Sequence, residues 1–115
     1  MSIDIDQVIS DIKDATSSIL TTDITTVGGF SSRQLHGLAT QAALVASGIS
    51  SGQITEATRD FFLDQLIQLA HNFVNTLVGL VLAEIQKLWN AVVSVIWGAI
   101  SKATGIQLPD FKTSE

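Results

Sequence analysis

The feature that most constrains this chain is a long stretch, residues 55–103, with no proline and no cluster of turn-forming residues. Gly79 and Gly98 are its only interior helix breakers. Its end is well marked, because Gly105 and then Pro109 follow the last apolar residues. The pattern predicts one continuous helix over about 55–103, and the alternative is a bend or a tight hairpin near Gly79.

Within this predicted helix, aliphatic residues recur every seven residues and form a column along one side, and two tryptophans lie beside the column. A strict seven-residue repeat favours supercoiled, coiled-coil-like packing against neighbouring helices. We therefore expect the column and the tryptophans to supply the anchors of a helix–helix interface. These predicted interface residues are Ile67, Val74, Val81, Leu88, Trp89, Val95 and Trp97.

A second stripe, roughly opposite the column, is uncharged and rich in side-chain amides. It consists of Gln65, Gln68, Asn72, Asn75, Gln86 and Asn90. One interpretation is an ordinary solvated helix face. The other is a face that meets a partner through interhelical hydrogen bonds, and it stays open because solvated faces usually carry more Lys and Glu.

The rest of the chain predicts two shorter amphipathic helices, over about 3–21 and 32–47. A connector at 22–31 and a turn at 48–54 separate the elements, and a tail covers 104–115. Ser31 and Gln34 have the spacing of a capping box at the start of the second helix, and Gly48 is its expected stop. In the tail, Leu108 and Phe111 are candidates for docking. The predicted fold class is all-α, a single helical domain with bundle or coiled-coil-like packing.

A comparison of helix lengths predicts self-association. A helix over 55–103 would be about 70 Å long, and each of the two shorter helices would reach about 27 Å. Two such helices can cover one stripe of the long helix but not its whole circumference, and residues 77–83 are apolar nearly all round. A helix that is apolar on every side is normally buried in an assembly or a membrane. We expect a homo-oligomer, sheath or filament; an unrelated helical partner is a further alternative.

The main alternative from another functional class is a membrane-active protein, such as a pore-forming, toxin or lysis component, that inserts the same helix into a bilayer. Only three charged residues, Glu84, Lys87 and Lys102, occur between 65 and 109, which motivates this alternative. Against it, Glu84 and Lys87 interrupt the apolar run, and each would cost about 2.5–3.5 kcal/mol at the centre of a bilayer.

No motif for catalysis, cofactor binding or metal binding stands out, so we expect no enzyme activity, no cofactor and no metal. The closest approach to a di-iron motif is Gln68-x-x-His71, in which Gln is a poor substitute for a bridging carboxylate. Eleven acidic residues against six Lys and Arg leave no basic footprint for nucleic acid. The start of the sequence resembles no secretory signal, so the default expectation is a cytoplasmic protein, with non-classical export or membrane association as alternatives.

Overall fold

Residues 3–106, the part that the computed structural model describes, contain four α-helices and one short 3-10 helix. The prediction of an all-α chain is confirmed. The predicted docking of Leu108 and Phe111 lies outside the described residues. In chain order the elements are α1 (Ile5–Leu20), the 3-10 helix (Ile24–Thr26), α2 (Ser32–Ser51), α3 (Glu56–Asn75) and α4 (Leu82–Thr104).

Helix α1 begins at a capping aspartate, whose Oδ1 accepts a hydrogen bond from the backbone N–H of Gln7 at 3.2 Å. This cap, Asp4, satisfies one of the N–H groups that a helix start leaves without an intrahelical partner. The buried face of the helix carries Val8, Ile12 and Thr16. The Thr16 hydroxyl donates to the Ile12 carbonyl oxygen at 2.7 Å, so its burial leaves no unpaired donor.

Helix α2 begins as its capping pattern predicts and ends later than expected. The Ser31 hydroxyl accepts a hydrogen bond from the backbone N–H of Gln34 at 3.1 Å. Gly48 was expected to stop the helix, and that prediction is wrong, because the helix runs on to Ser51. Gly48 instead gives room to Ile54, whose side chain would lie only 2.6 Å from a Cβ at this position. The glycine is therefore a packing residue.

The prediction of one continuous helix over 55–103 is wrong, and the alternative of a hairpin near Gly79 is confirmed. Helix α3 ends at Asn75, and α4 starts at Leu82. Gly79 has a backbone φ of +80°, in the left-handed region that favours glycine. The backbone N–H of Val81 donates to Glu84 Oε1 at 3.2 Å, so this carboxylate caps the start of α4.

A contact with a distant part of the chain holds the break in place. The N–H of Val78 donates to the carbonyl oxygen of Gly28 at 2.9 Å, which ties the α3–α4 connection to the α1–α2 connector. Close to this hydrogen bond in the chain, the ring of Phe30 packs edge to face against that of Phe73, with ring centroids 6.0 Å apart. Folding back lets α3 bury one face against α2 and α4, which a single long helix could not do within one chain.

The four helices form a compact bundle of 42 × 28 × 19 Å. Helix α4 packs against each of the other three helices, and it contributes five fully buried aliphatic side chains to the core. Burial of a Val, Leu or Ile side chain contributes about 1.5–3 kcal/mol, so α4 supplies a large part of the core stability. The five residues are Leu88, Val92, Val93, Ile96 and Ile100.

Candidate interaction surfaces

The predicted interface residues separate into three groups in the folded chain. Val74 and Leu88 are completely buried in the chain's own core, so they are not available to a partner. Val81 is 64% exposed in the α3–α4 connection. The remaining four are half-buried and pack against the core from its edge: Ile67, Trp89, Val95 and Trp97.

The polar stripe is divided by the hairpin. Gln65, Gln68 and Asn72 are exposed on α3, and Gln86 and Asn90 lie on α4.

One member of the stripe has a role within the fold. Oδ1 of Asn75, the last residue of α3, accepts a hydrogen bond from the indole Nε1–H of Trp89 on α4 at 3.2 Å. This amide joins the two helices of the hairpin.

His71 lies beside the same tryptophan, between α3 and α4. Its ring centroid is 4.6 Å from that of Trp89, and the two rings are inclined by 30°. Nε2 of His71 is buried and makes no hydrogen bond within the described part of the chain. Burial lowers the pKa of His71 below its ordinary value, because the charged imidazolium would lose hydration there. The geometry fits a neutral packing residue.

One exposed apolar surface lies where α2 and α3 run side by side. We call it the α2–α3 face and define it by Leu44, Phe61 and Leu69, which are 59%, 60% and 38% exposed. A shallow groove of about 490 Å³ lies in this face. The groove is lined by Gln41, Phe61, Asp64, Gln65, Gln68 and Leu69.

A second exposed apolar surface is the turn of the α3–α4 hairpin. Val78, Val81 and Leu82 are 62%, 64% and 63% exposed, and we call these three residues the apolar tip. Leu77 in the same connection is buried, and Leu80 is half-buried. The loop is therefore anchored on the bundle, with Cγ2 of Val78 close to Gly28, while most of the surface of Val78, Val81 and Leu82 stays exposed.

A third surface is a groove of about 530 Å³ between α1 and α4. Small side chains of α4, such as Ser94 and Gly98, form one wall, and Gln7 and Asp11 of α1 stand opposite. Within residues 3–106, no three His, Asp or Glu side chains come together as a metal site. Over the same residues, no helix combines the length and apolar character needed to cross a bilayer.

Sequence reasoning missed the α2–α3 face, although a signal was present. Phe61 comes directly before the inward-facing Phe62, and Leu69 directly before the buried Ala70. Each is therefore an apolar residue next to a core-facing position, on the side of the helix that faces away from the core. Leu44 likewise precedes the buried Val45. A large apolar residue on the polar side of an amphipathic helix was the available sign.

In comparisons with protein-family models, curated proteins and solved structures, no match to this chain was found.

Proposed function

We propose that this chain is a non-enzymatic interaction protein that self-associates through the α2–α3 face. The observation that carries the proposal is a groove between α2 and α3 that is lined by Phe61 and Leu69, which are 60% and 38% exposed, with Leu44 on α2 59% exposed. Leu44 lies one turn after Gln41, a groove residue, on the same side of α2. Contiguous exposed apolar surface of this kind is typical of protein–protein contact sites.

Phe61 is the best candidate for the central anchor. Its ring meets that of Phe62 edge to face, with centroids 5.3 Å apart, and Phe62 is itself half-buried against the core. An aromatic side chain that is held in place before binding loses little conformational freedom when a partner covers it. Exposed, preordered aromatic residues are typical of the few positions that dominate binding energy.

The groove has the composition of the centre of a protein interface. Within residues 3–106, Asp64 is the only charged residue that lines the groove. Interface centres are depleted in Lys, Glu and Asp, whereas the rims are polar. Gln41, Gln65 and Gln68 bring amide groups that both donate and accept hydrogen bonds, so two identical faces are mutually compatible.

The dimensions of the face are adequate for a weak dimer. Helices α2 and α3 have 20 residues each. Two helices of that length, each about 30 Å long and about 10 Å apart, present about 600 Å² in projection. Specific interfaces bury about 800 Å² on each partner. A two-fold dimer using this face therefore falls near the lower end of stable interfaces.

This proposal keeps the predicted self-association and moves its location. Val74 and Leu88 fill the core of the single chain, so these two members of the heptad column are not available to a partner. Gln65 and Gln68 of the polar stripe stay exposed beside Phe61, as the partner interpretation of that stripe requires.

The test is the mass of the chain in solution, measured by light scattering and sedimentation velocity from about 1 μM to about 1 mM. We expect a reversible monomer–dimer equilibrium, and we expect Phe61→Ser to raise its dissociation constant by at least tenfold, about the effect of losing a central anchor. Val81→Ser is the matched control, because Val81 is 64% exposed and Phe61 60%. A wild-type chain that stays monomeric throughout, or equal effects of the two substitutions, would contradict the proposal.

A further inference from the structure

The apolar tip is a convex, preformed element that the proposed dimer does not use. It stands at the end of the bundle where α3 turns into α4, and a Cβ added to Gly79 would meet no atom within 4 Å. Its three aliphatic side chains, Val78, Val81 and Leu82, are each more than 60% exposed.

The loop backbone is held by hydrogen bonds within the protein. The N–H of Leu77 donates to the carbonyl oxygen of Val74 at 3.0 Å, and the N–H of Val78 to that of Gly28 at 2.9 Å. The N–H of Val81 donates to Glu84 Oε1 at 3.2 Å. These donors are therefore already paired, and moving the loop into an apolar medium would not strip them of water without compensation.

The area of the tip argues against a second copy of the chain as its occupant. A Val or Leu side chain has on the order of 100 Å² of apolar surface, so the three side chains together expose about 200 Å². A stable protein interface needs about 800 Å² from each partner. Insertion into the interfacial layer of a bilayer needs no opposing surface of matched shape, so a small convex tip is sufficient.

The charges select the kind of lipid surface. Residues 76–83 contain no charged residue, and the whole chain has a net charge of −5. Asp23, which caps the 3-10 helix, and Glu84 at the start of α4 flank this end of the bundle, with Lys87 one turn further on. Anionic headgroups would repel such a protein. We propose that the apolar tip inserts into the interface of a bilayer with zwitterionic headgroups, while the helices stay outside it.

The experiment uses the absence of cysteine from the sequence, which allows single-site labelling. Ala83→Cys places an environment-sensitive fluorophore beside the tip and keeps its three side chains, and Ser50→Cys places one near the C-terminal end of α2. With phosphatidylcholine vesicles we expect a blue shift and nitroxide-lipid quenching at 83 and neither at 50. Added phosphatidylserine should weaken the binding.

Substitution then assigns the binding to the tip. The double variant Val81→Ser, Leu82→Ser should lower the vesicle partition coefficient by about 100-fold, about tenfold for each side chain removed. Ser is a better helix N-cap than Val, so the start of α4 is retained. Ile5→Ser is the control: Ile5 is half-buried at the start of α1, outside both the apolar tip and the α2–α3 face, and its loss should leave lipid binding unchanged.

Each outcome has a defined meaning. Unchanged emission at 83 with excess phosphatidylcholine overturns the proposal, as does lipid binding that survives loss of Val81 and Leu82. Binding that requires phosphatidylserine overturns the choice of a zwitterionic surface. A signal at 83 that follows protein concentration without lipid makes the tip a protein contact, which also overturns the proposal. The dimer is tested by Phe61→Ser alone, so the two proposals fail independently.

Discussion

The contact between the α1–α2 connector and the α3–α4 hairpin can be tested with three glycine-to-alanine substitutions. Gly29 has a φ of +85°, and a Cβ placed there would overlap the carbonyl oxygen of Thr76. Gly79 has nearly the same conformation, with a φ of +80°, but a Cβ there has open space around it. Gly37 lies within α2, and a Cβ there also meets nothing within 4 Å. The series separates backbone conformation from packing.

The expected magnitudes follow from these differences. Alanine in the left-handed region costs about 1–2 kcal/mol, so Gly79→Ala should destabilise the fold by that amount. Gly29→Ala carries the same cost, and it must also push the connector away from Thr76. This shift strains the neighbouring hydrogen bond from Val78 to Gly28, and its loss adds about 1–3 kcal/mol. We therefore expect about 2–5 kcal/mol for Gly29→Ala. Gly37→Ala should stabilise α2 by about 0.5–1 kcal/mol.

Urea unfolding, followed by circular dichroism, measures these free energies, provided that the slope of free energy against urea stays constant across the series. The measurement should be made well below the dimerisation range, so that association does not contribute to stability. Equal destabilisation by Gly29→Ala and Gly79→Ala would refute the packing of the connector on the hairpin. We explain the break between α3 and α4 by this packing, so the same result would also refute that explanation.

Two further predictions concern the core and the hairpin. Phe73→Ala, at a completely buried ring, should cost about 3–5 kcal/mol out of a total of about 6–17 kcal/mol expected for a chain of this length. A smaller loss in the urea experiment would contradict the burial of the Phe73 ring against Phe30. Because the pKa of His71 is lowered in the folded state, the unfolded chain binds the proton more readily, so stability should be full above about pH 6.5 and fall as the pH drops from there towards the lower folded-state pKa. His71→Gln should remove this pH-dependent loss of stability. The carboxylates contribute equally to both proteins, so they cancel in the difference between the variant and wild type. Identical pH profiles of stability for the two proteins would contradict the prediction.

Local signals in the sequence predicted the helix boundaries where short-range hydrogen bonds determine them. Ser31 caps α2 through the N–H of Gln34, three residues later, as the spacing indicates. Gly105 follows the last helix as its C-cap, also as predicted. Such caps are decided within a few residues, so a sequence pattern is sufficient to find them.

The break between α3 and α4 could not be predicted in the same way. Residues 75–79 contain no strong turn sequence, and the hydrogen bond that fixes the loop comes from Gly28, far away in the chain. Glu84 looked like an interruption of an apolar helix, whereas it caps the start of α4. The length argument for association depended on the unbroken helix. The hairpin lets α3 and α4 each bury a face within the chain, whereas Val78, Val81 and Leu82 in the connection stay exposed.

The same physics explains why two of the predicted anchors are not available to a partner. A residue that fits a periodic apolar pattern well is a residue that the fold can bury, and Val74 and Leu88 are buried completely in the single chain. The apolar side chains that remain exposed, and are therefore available to a partner, are those that the fold does not bury. Such residues lie outside the regular apolar repeat. Phe61 and Leu69 lie one position before core residues, and Val81 was in the column only while the helix was assumed to continue. Removing Phe61 should therefore affect association and leave the fold intact, whereas Leu88→Ala should cost about 2–5 kcal/mol of stability.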